Sequence, residues 1–150
     1  MKEFLILGNS VEMMHIASED ICYILPDADD PNYSNIFPTY GEKILVTMQI
    51  GKVFDAIKKY LPSDYKNFER VGRSLIINKI HVASINLTKQ QIILYDNRID
   101  GFSAGYTTGY RDAQFEKDPL VNINITPAKK ILTAPKQHLK ELKKNIEKGK

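Results

Sequence analysis

The chain has 150 residues, of which 43% are hydrophobic and 26% are charged. That composition is typical of one soluble globular domain and excludes global disorder. The single cysteine, Cys22, excludes an internal disulfide and a multi-cysteine metal site, and its apolar surroundings predict a small buried side chain. The N-terminal apolar run is too short for a signal peptide or a membrane span, so we expect a cytoplasmic protein with no membrane partner.

Charge is distributed unevenly along the sequence, although the net charge is only +3. Residues 1–69 hold six Lys and eleven Asp/Glu, whereas residues 70–150 hold fifteen Lys/Arg and seven Asp/Glu. An anionic partner would therefore meet the second half of the chain. The alternative is a solvated lysine-rich tail, because eight of those fifteen cations lie between Lys129 and Lys150.

Strand signals dominate the first fifty residues. The run Ile21–Leu25 is followed by the loop segment DADDPN, and Tyr33–Pro38 and Lys43–Met48 are two further candidate strands. The three aspartates of the loop lack the spaced oxygen ligands and the closing glutamate of a calcium loop. We therefore expect no metal at this loop.

Two amphipathic helices are predicted. The first has apolar residues at i, i+3, i+4, i+7 and i+11 counted from Ile50, and Pro62 ends it. The second runs from Pro135 to Lys148. Because its apolar stripe is narrow, we expect this helix to dock weakly or to need a partner.

A hairpin and a long irregular segment lie between the helices. Val82–Leu87 is expected to pair with Gln91–Tyr95 across a short turn. Residues 97–119 predict a long exposed loop or an extended hairpin, and Val121–Thr126 alternates apolar and polar residues as a half-buried strand does. Ile131–Thr133 is a candidate for the last short strand.

No catalytic motif is found in the sequence. The three histidines, His15, His81 and His138, have no metal-ligand spacing, and we expect them on strand or helix surfaces. There is no nucleophile elbow, no phosphate-binding loop and no dinucleotide fingerprint. We therefore expect a protein that is not an enzyme and that needs no cofactor or metal.

The stretch from Phe68 to Ile85, FERVGRSLIINKIHVASI, carries the clearest functional signal. Arg70, Arg73 and Ser74 stand directly before the apolar segment LII, which Asn78 closes. Cationic side chains at the mouth of a rigid apolar framework suit a protein that grips phosphates and reads base edges. The stretch resembles the signature of LytTR-type DNA-binding domains, whose pattern is F-x-R-V-H-R-S-x-x-V-N followed by an apolar-rich segment.

The resemblance covers roughly Ile16 to Asp96 and returns loosely at Leu132–Leu142. It implies a mostly β fold, an elongated antiparallel β-sheet or sandwich with one internal and one C-terminal helix. We expect a single domain over residues 1–150, with a core at about 11–142, an insertion at about 97–126 and no receiver domain.

For function, the resemblance implies a sequence-specific transcription regulator that inserts loops into the major grooves of double-stranded DNA. The contact residues that it implies in this chain are Asn32, Tyr33, Arg70, Arg73, Ser74 and Lys136. The residue types agree, since Arg can hold guanine O6 and N7 as a bidentate pair and Ser can hold a phosphate. As a further partner we expect either a second copy on DNA or a separate signalling protein.

Three departures from the family pattern support an alternative function. Gly72 stands where the family has histidine, Pro135-Lys136-Gln137 stands where it has S-R-R, and the first contact loop is acidic. A protein-interaction module that keeps the fold but has lost DNA binding is therefore the second hypothesis.

Individual residues also have structural alternatives. Arg70 could form an ion pair with Glu69 or Asp64 instead of meeting DNA. Asn78 is better suited to cap a turn than to contact a base. Arg73 is the strongest functional candidate, and its alternative is plain surface exposure.

Overall fold

The computed structural model describes residues 2–8, 10–39, 41–96 and 128–149. Ten strands and two α-helices lie in these ranges, together with three short 3-10 helices. The strands are β1 (Phe4–Gly8), β2 (Met13–Ala17), β3 (Ile21–Pro26), β4 (Ser34–Pro38), β5 (Ile44–Val46), β6 (Phe68–Arg70), β7 (Ile76–Asn78), β8 (Val82–Asn86), β9 (Gln91–Asp96) and β10 (Ala128–Thr133). The helices are α1 (Ile50–Tyr60) and α2 (Lys136–Lys148).

The strands form three antiparallel sheets. β1 pairs with β2, five strands follow the order β5-β4-β3-β7-β6, and three follow the order β10-β9-β8. This arrangement confirms the predicted mostly β antiparallel fold with one internal and one C-terminal helix. Neither helix in the described ranges is long and apolar enough to cross a membrane.

Most predicted elements are found close to their expected positions. The hairpin of β8 and β9 pairs Asn86 with Gln91 at its turn, as the sequence predicts. β10 begins at Ala128, earlier than the predicted Ile131, because its pairing with β9 extends to Asp96. The predicted loop at 97–119 and the predicted strand Val121–Thr126 lie outside the described residues.

Two apolar clusters lie on opposite faces of the five-stranded sheet. Ile24 and Ile76 belong to the cluster that includes the buried face of α1, whereas the neighbouring Tyr23 and Ile77 belong to the cluster that includes α2 and the three-stranded sheet. Because side chains alternate along a strand, β3 and β7 are buried on both faces and their sequences are continuous apolar runs. Cys22 belongs to the second cluster and is 1% exposed, which confirms the predicted buried side chain.

Helix α2 docks more firmly than its narrow stripe predicts. Leu139 and Leu142 are both 0% exposed, and Ile146 packs against the same cluster. Asn145 also donates a hydrogen bond of 2.9 Å to the carboxylate of Glu69 in β6. The expectation of weak docking is therefore wrong, because the second cluster provides a complementary surface that the helix sequence alone does not reveal.

Asn78 joins the end of β7 to the turn that precedes β3. Its side chain is buried, and its Nδ2 donates to the carbonyls of Ser18, at 3.2 Å, and of Ile21, at 2.8 Å. Its Oδ1 accepts a hydrogen bond of 3.4 Å from the backbone N–H of Ile80. The alternative that Asn78 caps a turn is therefore confirmed.

Replacing Asn78 by Ala should lower the free energy of unfolding by about 1–3 kcal/mol, because two buried carbonyls would lose their donor. Urea unfolding followed by circular dichroism measures the change. Asn86→Ala is a matched control, since Asn86 is exposed and, among the described residues, accepts only from the turn N–H of Lys89, so water can replace it. Equal losses in the two variants would contradict the bridging role.

Candidate nucleic-acid interface

Asp27 organises the loop between β3 and β4, where Asn32 and Tyr33 were predicted to meet DNA. Its Oδ2 accepts from the backbone N–H groups of Asp29, at 3.1 Å, and Asp30, at 3.2 Å, while its Oδ1 accepts from Nδ2 of the buried Asn35 at 3.0 Å. The Asn35 side chain is the main cause that lowers the pKa of Asp27, and the two backbone N–H groups lower it further. No group of three potential metal-binding side chains occurs in the described part of the chain.

Asn32 lies at the exposed tip of this loop, next to the start of α1. Its backbone N–H donates to Oδ1 of Asp30 at 3.0 Å, and its side-chain oxygen accepts from Nε2 of Gln49 at 3.0 Å. Gln49 occupies the N-cap position of α1. Tyr33 is half-buried, and its backbone hydrogen-bonds to Asp27 and Asp30. The two predicted contacts therefore differ, since Asn32 is presented to solvent and Tyr33 mainly closes the loop.

The hairpin loop is the three-residue turn between β6 and β7. The backbone N–H of Val71 donates to the carbonyl of Leu75 at 2.8 Å, which closes the loop Gly72-Arg73-Ser74. Val71 and Leu75 are buried in the second apolar cluster, whereas Arg73 and Ser74 are exposed. Buried anchors on each side thus hold two predicted DNA-contact residues out from the surface.

Arg70 lies behind the hairpin loop and supports it. Its Nη2 donates a hydrogen bond of 2.6 Å to the carbonyl of Arg73. Its Nη1 lies against the first turn of α1, 3.6 Å from the position that a Cβ on Gly51 would take. Its Nε is buried and has no hydrogen-bond partner in the described structure. Arg70 therefore connects the start of α1 with the hairpin loop.

The alternative ion pairs of Arg70 are not found. In the described residues, no ion pair joins Arg70 to Glu69 or Asp64. Glu69 instead pairs with Lys79, at 3.6 Å, and accepts from Asn145 of α2. In the described part of the chain, the guanidinium of Arg70 therefore lies beside the hairpin loop without a carboxylate partner.

A cleft of about 610 Å³ opens between the hairpin loop, β10 and the start of α2. It places Arg73 and Ser74 beside two residues that the sequence does not assign to a DNA interface, Lys130 and His138. Lys136 is exposed in the first turn of α2, directly after a residue of the cleft wall. The cleft is lined by Leu25, Val71, Gly72, Arg73, Ser74, Leu75, Lys130, Ile131, Leu132, Thr133, Ala134, Pro135 and His138.

At Gly72 the hairpin loop lies close to α2. Its φ is +71°, a left-handed conformation that glycine adopts without steric cost. A Cβ at this position would lie 3.2 Å from Cδ2 and 3.4 Å from Nε2 of His138. The ring of His138 therefore lies close to the place where a side chain on residue 72 would begin.

A chain of contacts links the three predicted segments. Asn32 is joined through Gln49 to the start of α1, Arg70 connects that start to the hairpin loop, and the cleft lies between the hairpin loop and Pro135, which directly precedes Lys136. The sequence does not predict Gln49, Lys130 or His138 as members of this interface. Of the three, only Gln49 has a position that the sequence could indicate, because it directly precedes the predicted first helix.

Gly72→Ala should lower the free energy of unfolding by about 2–4 kcal/mol, since the left-handed backbone and the crowding against His138 both oppose a methyl group. Gly41→Ala is the matched control, because Gly41 has a φ of +90° but nothing within 4 Å of its Cβ position. It should lose only about 1–2 kcal/mol. Chemical unfolding compares the two, and equal losses would contradict the His138 contact.

Asn35→Ala should raise the pKa of Asp27, because it removes the main cause of the lowered value. With its pKa lowered in the folded state, Asp27 stabilises the fold above the ordinary aspartate pKa of about 3.9, and this contribution is lost as the pH falls through the folded-state value. NMR titration of the Asp27 carboxyl carbon measures the shift. Asn86→Ala should leave it unchanged, and an unchanged value in Asn35→Ala would refute the assignment.

The comparisons with known proteins concern the fold. No protein-family model and no curated protein matches the chain. Among the solved structures that match is the LytTr DNA-binding domain of a Bacillus cereus protein described as a methyl-accepting/DNA response regulator. The TM-score is 0.52 at 12% sequence identity, and the match covers 97% of this chain and 98% of that chain. The fold expected from the Phe68–Ile85 stretch is thus found, and the chain has the fold of a LytTR-type DNA-binding domain.

Proposed function

We propose that the chain binds double-stranded DNA and regulates transcription in the cytoplasm. The observation that carries the proposal is the cleft, where the exposed Arg73 and Ser74 lie beside Lys130 and close to Lys136. The fold adds support, since the solved domain that it resembles is named for DNA binding. The cationic second half of the chain supplies most of this surface.

Arg73 is the proposed reader of sequence. Arg70 holds the carbonyl of Arg73, and the hairpin loop is closed by buried anchors, so the Arg73 side chain projects from a fixed backbone. A guanidinium held in this way can donate to guanine O6 and N7 in the major groove. The Ser74 hydroxyl and the Arg70 guanidinium would contact phosphates beside that base.

The loop at Asn32 would contact a second part of the duplex. Asn32 is exposed, and its Nδ2 has no partner in the described part of the chain, so it can donate to a base edge or a phosphate. Tyr33 would act mainly through its position in the loop, because it is half-buried. Asp27 and Asp30 already accept hydrogen bonds within the loop. Asp29 is therefore the carboxylate of this loop that would repel the phosphates of DNA.

Helix α2 would supply attraction that does not depend on sequence. Lys136, Lys140, Lys143 and Lys144 are exposed along one side of the helix, and Lys143 also pairs with Glu147 at 2.8 Å. Lysines that neutralise phosphates release counterions, so binding of this kind weakens as salt rises. Two copies on neighbouring half-sites, or a separate signalling protein, would then provide regulation.

The proposal contains no catalytic step. Among the described residues, the polar groups of the cleft are cations, hydroxyls and the His138 ring, and none of them is a carboxylate. In the residues that the structure describes, the His138 side chain makes no hydrogen bond that would pair it with a base or a nucleophile. This set suits binding of an anion better than general acid–base chemistry.

A protein-interaction module is the second candidate, and the acidic loop favours it. Asp29 is exposed, and residues 1–69 carry an excess of negative charge, which would repel a phosphate backbone. A fluorescence anisotropy titration with random duplex DNA at low salt separates the two functions. Absence of binding at about 10 μM protein would favour the interaction module, because non-specific DNA contacts should already be detectable there.

Arg73→Ala and Lys136→Ala should weaken DNA binding in different ways. Arg73→Ala should cost about 1–3 kcal/mol and relax the preference at one base position, whereas Lys136→Ala should weaken all duplexes alike and lower the salt slope by about one. Selection from a randomised duplex library, followed by anisotropy at several salt concentrations, measures both effects.

Lys58→Ala is the control for loss of one positive charge. Lys58 lies in the last turn of α1, at the end opposite Gln49, and pairs with Asp55 at 3.9 Å. Its replacement should leave base preference and salt slope nearly unchanged. Equal affinity of Arg73→Ala and the unaltered protein for the best selected duplex would refute the proposed role of Arg73.

A further inference from the structure

We infer that His138 is an additional DNA-contact residue, and that its imidazole binds a phosphate next to the base read by Arg73. The inference rests on the proposed function and names one more residue of the same surface. It starts from the contact between α2 and the hairpin loop, where His138 lies over Gly72. The two residues are separated by 66 positions in the sequence and meet only in the folded chain.

The backbone that carries the ring is anchored in α2, and the ring lies against the hairpin loop. The backbone N–H of His138 donates to the carbonyl of Pro135 at 3.0 Å, within the first turn of α2. The next residue, Leu139, is 0% exposed and anchors that turn in the second apolar cluster. On the other side, the Cδ2–Nε2 edge of the ring lies against Gly72. The imidazole is consequently placed at the cleft, where it is half-buried.

The polar atoms of this ring have no hydrogen-bond partner among the residues that the structure describes. The His138 side chain forms no hydrogen bond with any residue of the described ranges, although the residue is half-buried and lines the cleft. Each imidazole nitrogen can donate or accept, depending on the proton that it carries. By contrast, His81 hydrogen-bonds to the carbonyl of Glu19 at 2.7 Å and is thereby engaged within the fold.

The charges around His138 favour an anionic ligand. Arg73 and Lys130 line the same cleft, Lys136 precedes the ring by two residues in α2, and no Asp or Glu of the described ranges contributes to the lining. A hydrogen-bond donor among cations suits a phosphate oxygen. The donor set therefore matches the DNA backbone better than it matches a cationic or an apolar ligand.

The setting of the ring favours a phosphate over a base. Arg73 and Ser74 are exposed at the tip of the hairpin loop, whereas His138 is half-buried behind them, beside Gly72. When such a tip enters a groove, a group behind it meets the rim, where the phosphates lie. The absence of a side chain on Gly72 leaves this space to the histidine ring.

His138→Phe is the sharpest test, because it keeps a flat ring against Gly72 and removes both nitrogens. Using a duplex selected by the unaltered protein, we expect the affinity to fall about tenfold while the melting temperature and the selected base preferences stay the same. His138→Ala, which also removes the packing, should lose thermal stability as well. Unchanged DNA affinity in His138→Phe would overturn the inference.

A single-phosphate experiment identifies the contact directly. Methylphosphonate groups replace one phosphate at a time in the same duplex, and each duplex is titrated with the unaltered protein and with His138→Phe. One substitution should weaken the unaltered protein about tenfold and have little further effect on the variant, because both changes remove the same hydrogen bond. Fully additive effects at every position would overturn the inference.

The outcomes separate this inference from the function on which it rests. If the unaltered protein binds duplex DNA and Arg73→Ala weakens it, but His138→Phe does not, only the role of His138 is refuted. If the unaltered protein binds no duplex at low salt, the proposed function and this inference both fail. If only His138→Ala loses affinity, together with thermal stability, the ring is a packing element and the phosphate contact is refuted.

Discussion

The docking of α2 into the second apolar cluster is the constraint on which the proposed interface depends. Leu139 and Leu142 are fully buried there, and burial of each leucine contributes about 1.5–3 kcal/mol. This packing places the start of the helix beside the hairpin loop, where His138 meets Gly72. Without it, Lys136 and Arg73 would be unrelated cations on separate parts of the chain. The cleft therefore depends on the packing of α2 against the second apolar cluster.

Much of the architecture could be predicted from local patterns. The apolar spacing that starts at Ile50 gives α1, the runs of β3 and β4 are found within one residue of their predicted ends, and the hairpin of β8 and β9 follows its turn residues. The role of Asn78 as a cap also follows from its residue type. β1 is harder to predict, because its few apolar residues become a strand through pairing with β2 and burial of Leu5 and Leu7.

The site could be predicted only in part, because its geometry depends on tertiary contacts. The Phe68–Ile85 stretch identifies Arg73 and Ser74, but it does not show that Arg70 bonds to the carbonyl of Arg73 and not to a carboxylate. Nor does any spacing rule connect His138 with Gly72, or Lys130 with the hairpin loop. In the sequence, glycine at position 72 in place of the family's histidine indicates a lost contact. In the fold, the ring of His138 from α2 lies in the space next to Gly72.

An NMR titration of the full chain with a short duplex tests the central claim most directly, because it locates the bound surface without any substitution. The account predicts that the backbone amide signals that shift most belong to the loop around Asn32, the hairpin loop at residues 72–74 and the first turn of α2. Shifts confined to the outer face of the β1–β2 pair, or no shifts at low salt, would contradict it.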